Sequence, residues 1–241
     1  MLLFDLVNAR KAHFSPNSWR VRMALAHKGI DFTVQDVRFV DIAGIRPQGD
    51  SIGHKLTIPT IQNDGMWVTD SWEIVHYLDD AFTDTPRLIN SGADESVLRF
   101  FQYWAQTTLH SGIFRNIVLD LYLGLDPADQ PYFRESREKI LHDTLENAQA
   151  GRQDRMDAFR KSLQPMRLAL ANSSFICGNQ PGYADYLAFG AFQWARVASP
   201  LQLLANDDVV STWLNRCLDL YDGMGRRESA AVDDLLDDSM R

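Results

Sequence analysis

The sequence predicts two parts, a small α/β domain followed by a larger all-α domain. In about the first 80 residues, short apolar runs with a period of two alternate with a segment of helical periodicity. Beyond the polar joint T-D-T-P at residues 83–86, only helical periodicity continues. We therefore expect an α/β domain over residues 1–83, a linker over residues 84–92 and an all-helical domain over residues 93–241.

The α/β domain opens with a strand, a helix and a second strand. Residues 2–7 form an apolar run that suits a buried strand, and residues 18–28 carry apolar side chains on one helical face before Gly29, a common helix terminator. Residues 30–34 then alternate with a period of two. Joints this short predict a βαβ unit with a right-handed parallel crossover.

A hairpin and a helix complete the first domain. Two apolar stretches, residues 58–62 and 66–68, flank N-D-G, which is a strong signal for a tight hairpin turn. A helix is predicted over residues 71–82. In the second domain, helices are predicted over residues 96–123, 130–150, 154–172, 184–197 and 209–221.

Charge and hydropathy limit the partners of the protein. The net charge of -8 argues against binding to nucleic acid or to an anionic membrane, because the long-range field repels phosphate. No apolar run approaches the ~18 residues that span a bilayer. The first residues lack the basic start and long apolar core of a signal peptide. We expect a cytoplasmic protein in which any anionic ligand is held by local donors.

The cysteines and histidines give no metal-ligand pattern. Cys177 and Cys217 are too few for a disulfide framework, and the six histidines are scattered without an H-x-x-x-H spacing. We therefore expect two buried thiols and no metal.

Ser15, in the stretch H-F-S-P-N-S-W-R, has two interpretations. Ser followed by Pro suits the N-cap of a helix, with Pro at the first helical position. The same hydroxyl lies where a strand passes into a helix, which is where open α/β domains collect ligands, and it can donate to an anion such as a thiolate. A nucleophilic serine would need a general base, which the sequence does not identify, and G-x-S-x-G is absent.

Two further motifs lie downstream. Pro59 begins a strand, which indicates a turn whose Ile58–Pro59 peptide bond is either trans or cis. If the bond is cis, the backbone N–H and C=O of Ile58 can pair with an extended peptide. Asp70 and Glu73 suit a capping box. Asp70 also suits an ammonium group, and Ser71 at a helix N-terminus suits a carboxylate.

In order and spacing, these motifs resemble the glutathione-binding domain of glutathione transferases. The resemblance implies a thioredoxin-like first domain, an all-helical second domain, a cis bond at Pro59 and glutathione as co-substrate along the strand edge. It makes Ser15 the donor to the glutathione sulfur and Asn17 a second donor. It makes Ile58, Asp70 and Ser71 the contacts to the peptide and γ-glutamyl parts, and it places His54 or Lys55 near the glycyl carboxylate. A homodimer is expected by the same analogy.

The helical domain is similar to that of bacterial lignin β-etherases and related fungal transferases. The resemblance rests on residues 133–138, 147–152, 178–186 and 221–226. It includes a buried helix cap at which Ser or Thr is usual, whereas this chain has Gly182, followed by Asp185 as a remaining acceptor.

An electrophile pocket is expected where the long helix after Ser96 faces Ser15. Aromatic side chains suited to stack on an aromatic substrate are Trp104, Phe114, Tyr122 and Trp194, although aromatic residues at helical spacing also suit a core. Arg115 suits either an anionic or phenolic oxygen of the substrate or the solvent-exposed surface.

The expected activity is therefore attack of the glutathione thiolate on an aromatic electrophile. By analogy with the β-etherases, the attacked carbon carries an aryloxy group β to a ketone. The string S-W-R-V-R at residues 18–22 resembles that of zeta-class transferases and keeps open a glutathione-dependent maleyl cis–trans isomerase. A transferase-fold protein that binds apolar ligands without turnover, and a structural adaptor with an empty groove, are the alternatives outside catalysis.

Overall fold

A four-stranded sheet forms the first part of the chain, as expected. The computed structural model describes residues 1–45, 56–90 and 92–233. In these ranges, β1 (Leu2–Leu6), β2 (Thr33–Val37), β3 (Thr60–Asn63) and β4 (Met66–Thr69) stand in the order β2-β1-β3-β4. β1 pairs with β2 in parallel and with β3 antiparallel, and β3 and β4 form the predicted hairpin. The strand predicted over residues 30–34 begins three residues later, at Thr33.

Two helices and a 3₁₀ helix accompany the sheet. They are α1 (Pro16–His27), α2 (Ser71–Ala81) and the 3₁₀ helix Phe39–Gly44. Within α1, both apolar residues such as Trp19 and the charged Arg22 are buried, because the helix packs on α2 and on a helix of the second domain. The Asp5 carboxylate of β1 neutralises Arg22, whose Nε donates to it at 2.7 Å.

The rest of the described chain is helical, which confirms the all-α second domain. The helices are α3 (Ala93–Trp104), α4 (Ser111–Gly124), α5 (Gln130–Leu141), α6 (Leu145–Gln149), α7 (Arg152–Ser162), α8 (Gln164–Leu170), α9 (Tyr183–Ala198) and α10 (Val209–Arg227). A π-helical turn, Ala105–His110, joins α3 to α4. No helix in the described part of the chain is long and apolar enough to cross a membrane.

α9 approaches the first turn of α1 closely. α9 is the most completely buried helix of the second part, and it packs along α1. A side chain at Gly190 of α9 would clash with the backbone carbonyl of Pro16. Glycine therefore lets the helical domain reach the N-terminus of α1, where Ser15 lies.

A buried ion pair connects the ends of α1 and α2 with the segment that leads into the second part. Lys28 Nζ donates to Asp79 Oδ1 at 2.8 Å, and both side chains are fully buried. The Asp79 carboxylate also accepts from the backbone N–H groups of Leu88 and Ile89 at 2.8–3.1 Å. These bonds fix the joint between the two parts.

Candidate functional site

Ser15 caps α1, as its sequence context predicts. Its backbone is extended (φ -63°, ψ 122°), Pro16 follows as the first helical residue, and its Oγ accepts from the Ser18 N–H at 3.3 Å. The first turn of α1 contains no acidic residue. The positive end of the helix dipole is therefore available to an anion beside the Ser15 hydroxyl.

The loop before Ser15 is held by a histidine between two carboxylates. His13 Nδ1 lies 3.2 Å from Glu228 Oε2, and His13 Nε2 lies 3.1 Å from Asp36 Oδ1. The backbone carbonyl of His13 accepts from Trp19 Nε1 at 2.8 Å. Burial acts to raise the pKa of Glu228, but the hydrogen bonds and electrostatic attraction of His13, with the charge of Arg22, together hold that pKa below its usual value. The His13 ring is engaged by these partners, so it anchors the loop that carries Ser15.

The Ile58–Pro59 peptide bond is cis, as the resemblance to glutathione transferases implies. Threonine side chains hold this turn: Thr60 Oγ1 donates to the Thr57 carbonyl at 2.6 Å, and the Thr57 N–H donates to Thr69 Oγ1 at 3.1 Å. Ile58 is buried and faces the same cavity as Ser15.

That cavity has a volume of about 770 Å³ and a mainly apolar wall that includes six aromatic side chains. The rings of Phe114 and Trp194 are stacked within it, with centroids 5.9 Å apart and planes 16° apart. Asn17 also lies on the wall. The other lining residues are Leu6, Phe14, Pro16, Phe39, Ile42, Ala43, Leu56, Thr57, Leu121, Tyr132, Phe133 and Arg137.

Three residues predicted for the electrophile pocket do not line this cavity. Trp104 precedes the π-helical turn and packs on Phe101, with ring centroids 5.3 Å apart. Arg115 is exposed, because adjacent helical residues point about 100° apart and Phe114 takes the inward direction. Tyr122 faces the guanidinium of Arg134 at 4.4 Å, and its neighbour Leu121 lines the cavity instead.

The predicted γ-glutamyl contacts lie outside the cavity wall, at the start of α2. The Asp70 carboxylate accepts from the Trp72 and Glu73 N–H groups at 2.8 and 3.4 Å, so Asp70 caps the helix. Its φ of 75° places it in the left-handed region. Ser71 is buried beside it. His54 and Lys55, predicted for the glycyl carboxylate, lie outside the described residues.

Buried polar groups surround the start of α2 without hydrogen-bond partners in the described structure. They are Arg20 Nε, Trp72 Nε1 and the Tyr183 hydroxyl. Burial lowers the pKa of Arg20, and the nearby Tyr183 and Asp70 oppose this effect. Burial raises the pKa of Tyr183. Polar atoms that are buried and unpaired at a helix N-terminus are suited to a polar ligand.

Arg20 also meets His110 of the π-helical turn. Arg20 Nη2 lies 3.3 Å from His110 Nε2, and the His110 ring packs near Trp194 with centroids 5.9 Å apart. Burial, followed by the positive charge of Arg20, lowers the pKa of His110 to about 3. His110 is therefore neutral and accepts a hydrogen bond from the guanidinium.

The part of the wall contributed by α5 and the 3₁₀ helix was not predicted from the sequence. Phe133 and Arg137 of α5 and Phe39 of the 3₁₀ helix line the cavity. Phe133 and Arg137 are four residues apart, a spacing that places both on one helical face. This spacing could have predicted that Phe133 and Arg137 lie together, whereas the position of Phe39 depends on how the 3₁₀ helix packs against α5.

Family models match both parts of the chain. The model for the N-terminal domain of glutathione S-transferase matches residues 14–81, and the model for the C-terminal domain matches residues 97–220. The chain belongs to the glutathione S-transferase family.

Individual relatives agree with this membership. The chain is 34% identical over 96 residues to a probable glutathione S-transferase, GSTU1, of Oryza sativa subsp. indica, a match that covers 38% of this chain and 41% of the relative. It is similar to the crystal structure of glutathione transferase GSTFuA3 from Phanerochaete chrysosporium (TM-score 0.70, 26% identity, 92% of this chain and 91% of that chain covered). It is also similar to CsGST83044 of Ceriporiopsis subvermispora in complex with glutathione (TM-score 0.70, 25% identity, 93% and 94% covered). The chain spans about two fifths of the length of the rice relatives that it matches.

Proposed function

We propose that this protein conjugates glutathione to aromatic electrophiles, with Ser15 stabilising the glutathione thiolate. The observation that carries the proposal is that the Ser15 hydroxyl, at the N-terminus of α1, shares one cavity with the stacked Phe114 and Trp194 rings. A thiolate at this position is stabilised by the hydroxyl and the helix dipole, and an aromatic electrophile is held against the rings. Asn17, on the same wall, is a second donor to the sulfur.

Glutathione is placed along the end of β3 in this proposal. Ile58, next to the cis bond, faces the cavity and offers backbone groups to the cysteinyl part of the tripeptide. Asp70 and Ser71, beside the unpaired polar atoms around α2, hold the ammonium and carboxylate of the γ-glutamyl end. His54 or Lys55 is the partner of the glycyl carboxylate.

The proposed reaction is nucleophilic substitution. The thiolate sulfur forms a bond to an electrophilic carbon while the leaving group departs with its bonding electron pair. For a β-aryl ether ketone, the products are a glutathione thioether and a phenolate, which takes up a proton. Binding both reactants in one cavity lowers the entropic cost of this bimolecular step.

A substrate screen tests this proposal. Glutathione is combined with aryl halides, β-aryl ether ketones and a maleyl compound, and product formation is compared for the wild type and Ser15→Ala. The proposal predicts thioether formation from at least one of the two aromatic classes and a large loss with Ser15→Ala. Turnover of the maleyl compound alone would instead support the isomerase, and glutathione binding with no Ser15-dependent turnover would support a non-catalytic ligand-binding protein.

The proposed partner in solution is a second copy of this chain. Val97, Phe100 and Tyr103 recur every three residues along α3, and 66%, 73% and 55% of their surfaces are exposed. An apolar stripe of this kind on one helix is suited to a symmetric dimer interface. Light scattering is expected to give the mass of a dimer for the wild type and a lower mass for Phe100→Asp. A monomeric wild type would contradict this part of the proposal.

A further inference from the structure

Arg137 brings a positive charge to the wall of the cavity that also contains Ser15. Of the described residues that line it, Arg137 alone carries a formal charge. Its guanidinium carbon lies 4.9 Å from the Phe133 ring centroid and 5.7 Å from that of Phe39. The aromatic faces hold the guanidinium plane at the cavity through cation–π contacts.

The guanidinium of Arg137 has N–H donors that make no hydrogen bond within the described residues. It carries five N–H donors. Within the described residues it makes one hydrogen bond, from Nη1 to Ser136 Oγ at 3.0 Å, and no carboxylate there lies within 4.0 Å. Arg134, one turn earlier on α5, differs: it is bound by Glu138 and Glu146 at 2.8–3.0 Å. A half-buried guanidinium that meets no carboxylate among the described residues is suited to an anionic ligand.

We propose that Arg137 selects aromatic electrophiles that carry a carboxylate. The planar fork of the guanidinium matches a carboxylate in two parallel hydrogen bonds, and Phe114 and Trp194 hold the aromatic ring of the same substrate. The net charge of -8 gives the protein no general attraction for anions, so a local cation is required for such a substrate. This inference rests on the proposed transferase function and specifies its substrate class.

Glutathione itself offers a second carboxylate, on its glycyl end. Arg137 belongs to the aromatic wall formed by α5 and the 3₁₀ helix, together with Phe39, Tyr132 and Phe133. An aromatic wall favours the electrophile over the polar end of the tripeptide. The experiment therefore separates these two sources of carboxylate.

The test uses a chloronitrobenzoate and the matching uncharged chloronitrobenzamide. In each case the thiolate bonds to the ring carbon that carries chlorine, and chloride leaves with its electron pair. The kcat/KM values for both substrates and the KM for glutathione are measured for the wild type, Arg137→Met, Arg137→Lys and Arg134→Met. Arg134→Met is the matched control, because it removes a charge from the same helix outside the cavity wall.

The proposal predicts that Arg137→Met lowers kcat/KM for the benzoate by about tenfold or more and leaves the benzamide within about twofold. Arg137→Lys should retain part of the preference, and Arg134→Met should leave the ratio of the two substrates unchanged. Equal losses for both substrates would show a packing role and would overturn the proposal. A rise in the KM for glutathione with both electrophiles would assign Arg137 to the glycyl carboxylate and would also overturn it.

Calorimetric binding separates this inference from the transferase proposal. If the wild type conjugates neither substrate, the transferase proposal rests on the β-aryl ether ketones alone, and it fails if these are not turned over either. The affinities of the benzoate and the benzamide for the wild type and Arg137→Met then decide the inference. Tighter binding of the benzoate that is lost in Arg137→Met supports it, and equal affinities overturn it.

Discussion

The Oγ atom of Ser15 accepts a hydrogen bond from the backbone N–H of Ser18 at 3.3 Å, at the point where α1 begins. The same residue lines the cavity that we propose as the active site. Helix capping uses a lone pair of the hydroxyl oxygen, whereas a thiolate needs the hydroxyl proton. The Ser15 hydroxyl can therefore accept from Ser18 N–H while it donates its own proton to a ligand. Ser15 is therefore able to perform both roles at once.

Two substitutions separate the roles of Ser15. Ser15→Ala should lower the free energy of unfolding by about 0.5–2 kcal/mol. Ser15→Gly should lower it by only about a few tenths of a kcal/mol, because glycine is a tolerated N-cap. Both variants lose the hydroxyl and should lose transferase activity equally. Urea unfolding and initial rates check this. Activity that follows stability, with Ser15→Gly close to wild type, would reduce Ser15 to a cap.

At the start of α9, Gly182 lies so close to Cys177 that there is no space for a side chain at position 182. A Cβ at Gly182 would lie 2.7 Å from Cys177 Sγ, which explains why this chain lacks the Ser or Thr expected there. Asp185 accepts from the Gly182 N–H at 3.1 Å and from Trp213 Nε1 at 2.8 Å, so the carboxylate still fastens the helix start. Cys177 is exposed, contrary to the expectation of a buried thiol, whereas Cys217 is buried.

Gly182→Ser is expected to destabilise the protein by about 1–3 kcal/mol through this overlap. Adding Cys177→Ala removes the sulfur but keeps the Cβ of residue 177, which would lie 2.9 Å from the new Cβ, so it should recover only part of the loss relative to Cys177→Ala alone. Thermal or urea unfolding of both single variants and the double variant measures the coupling. If Gly182→Ser is as stable as the wild type, the steric explanation is wrong.

The Lys28–Asp79 ion pair should behave as a buried pair. Removing one partner, in Lys28→Met or Asp79→Asn, is expected to cost about 3–5 kcal/mol, since an unpaired charge or donor stays buried. The double variant Lys28→Met/Asp79→Asn should cost less than the sum of the two single changes. Urea unfolding of the four proteins provides the cycle, and strictly additive losses would contradict the coupling.

The lowered pKa of His110 predicts a specific dependence of folding stability on pH. Its pKa falls from 6.5 to about 3 in the folded protein, through burial and the charge of Arg20. Between these values the unfolded chain binds a proton that the folded protein does not. Folding stability is therefore lost as pH falls below 6.5, by up to about 1.4 kcal/mol per pH unit from this residue.

His110→Gln keeps an acceptor for Arg20 and removes the titrating group. Its free energy of unfolding should fall less steeply than that of the wild type between pH 6 and pH 4, a window set by the folded and unfolded pKa values. Urea unfolding at each pH measures the two slopes. Parallel pH profiles would show that His110 is protonated in the folded protein.

Periodicity was sufficient to predict the two-part fold class, and the local motif was sufficient for the cap at Ser15, whereas the cis bond at Pro59 followed only from the resemblance to a family. Helix ends were less predictable, because they depend on single backbone positions. The helix predicted over residues 130–150 is broken at His142, which has a φ of 53°, and the helix predicted over residues 154–172 divides at Leu163 before Pro165. The last helix extends to Arg227 across a break at residues 220–223.

The cavity wall could be predicted only in part, since it depends on how separate elements pack. Phe114 and Trp194 face it as expected, but Trp104, Arg115 and Tyr122 do not. The positive side chain at the cavity wall, expected on α4 as Arg115, is instead Arg137 of α5. Helical spacing defines which residues share a face, whereas tertiary packing decides which face meets the cavity.

The pKa of the glutathione thiol bound to the protein tests the central claim most directly. Thiolate absorbance is followed against pH for the complexes of the wild type, Ser15→Ala and Ser15→Gly. The account predicts a bound thiol with a pKa below the ordinary value of about 8.5 in the wild type, and a rise of about one unit or more in both variants. The same thiol pKa in all three complexes would contradict the claim that the Ser15 hydroxyl stabilises the thiolate.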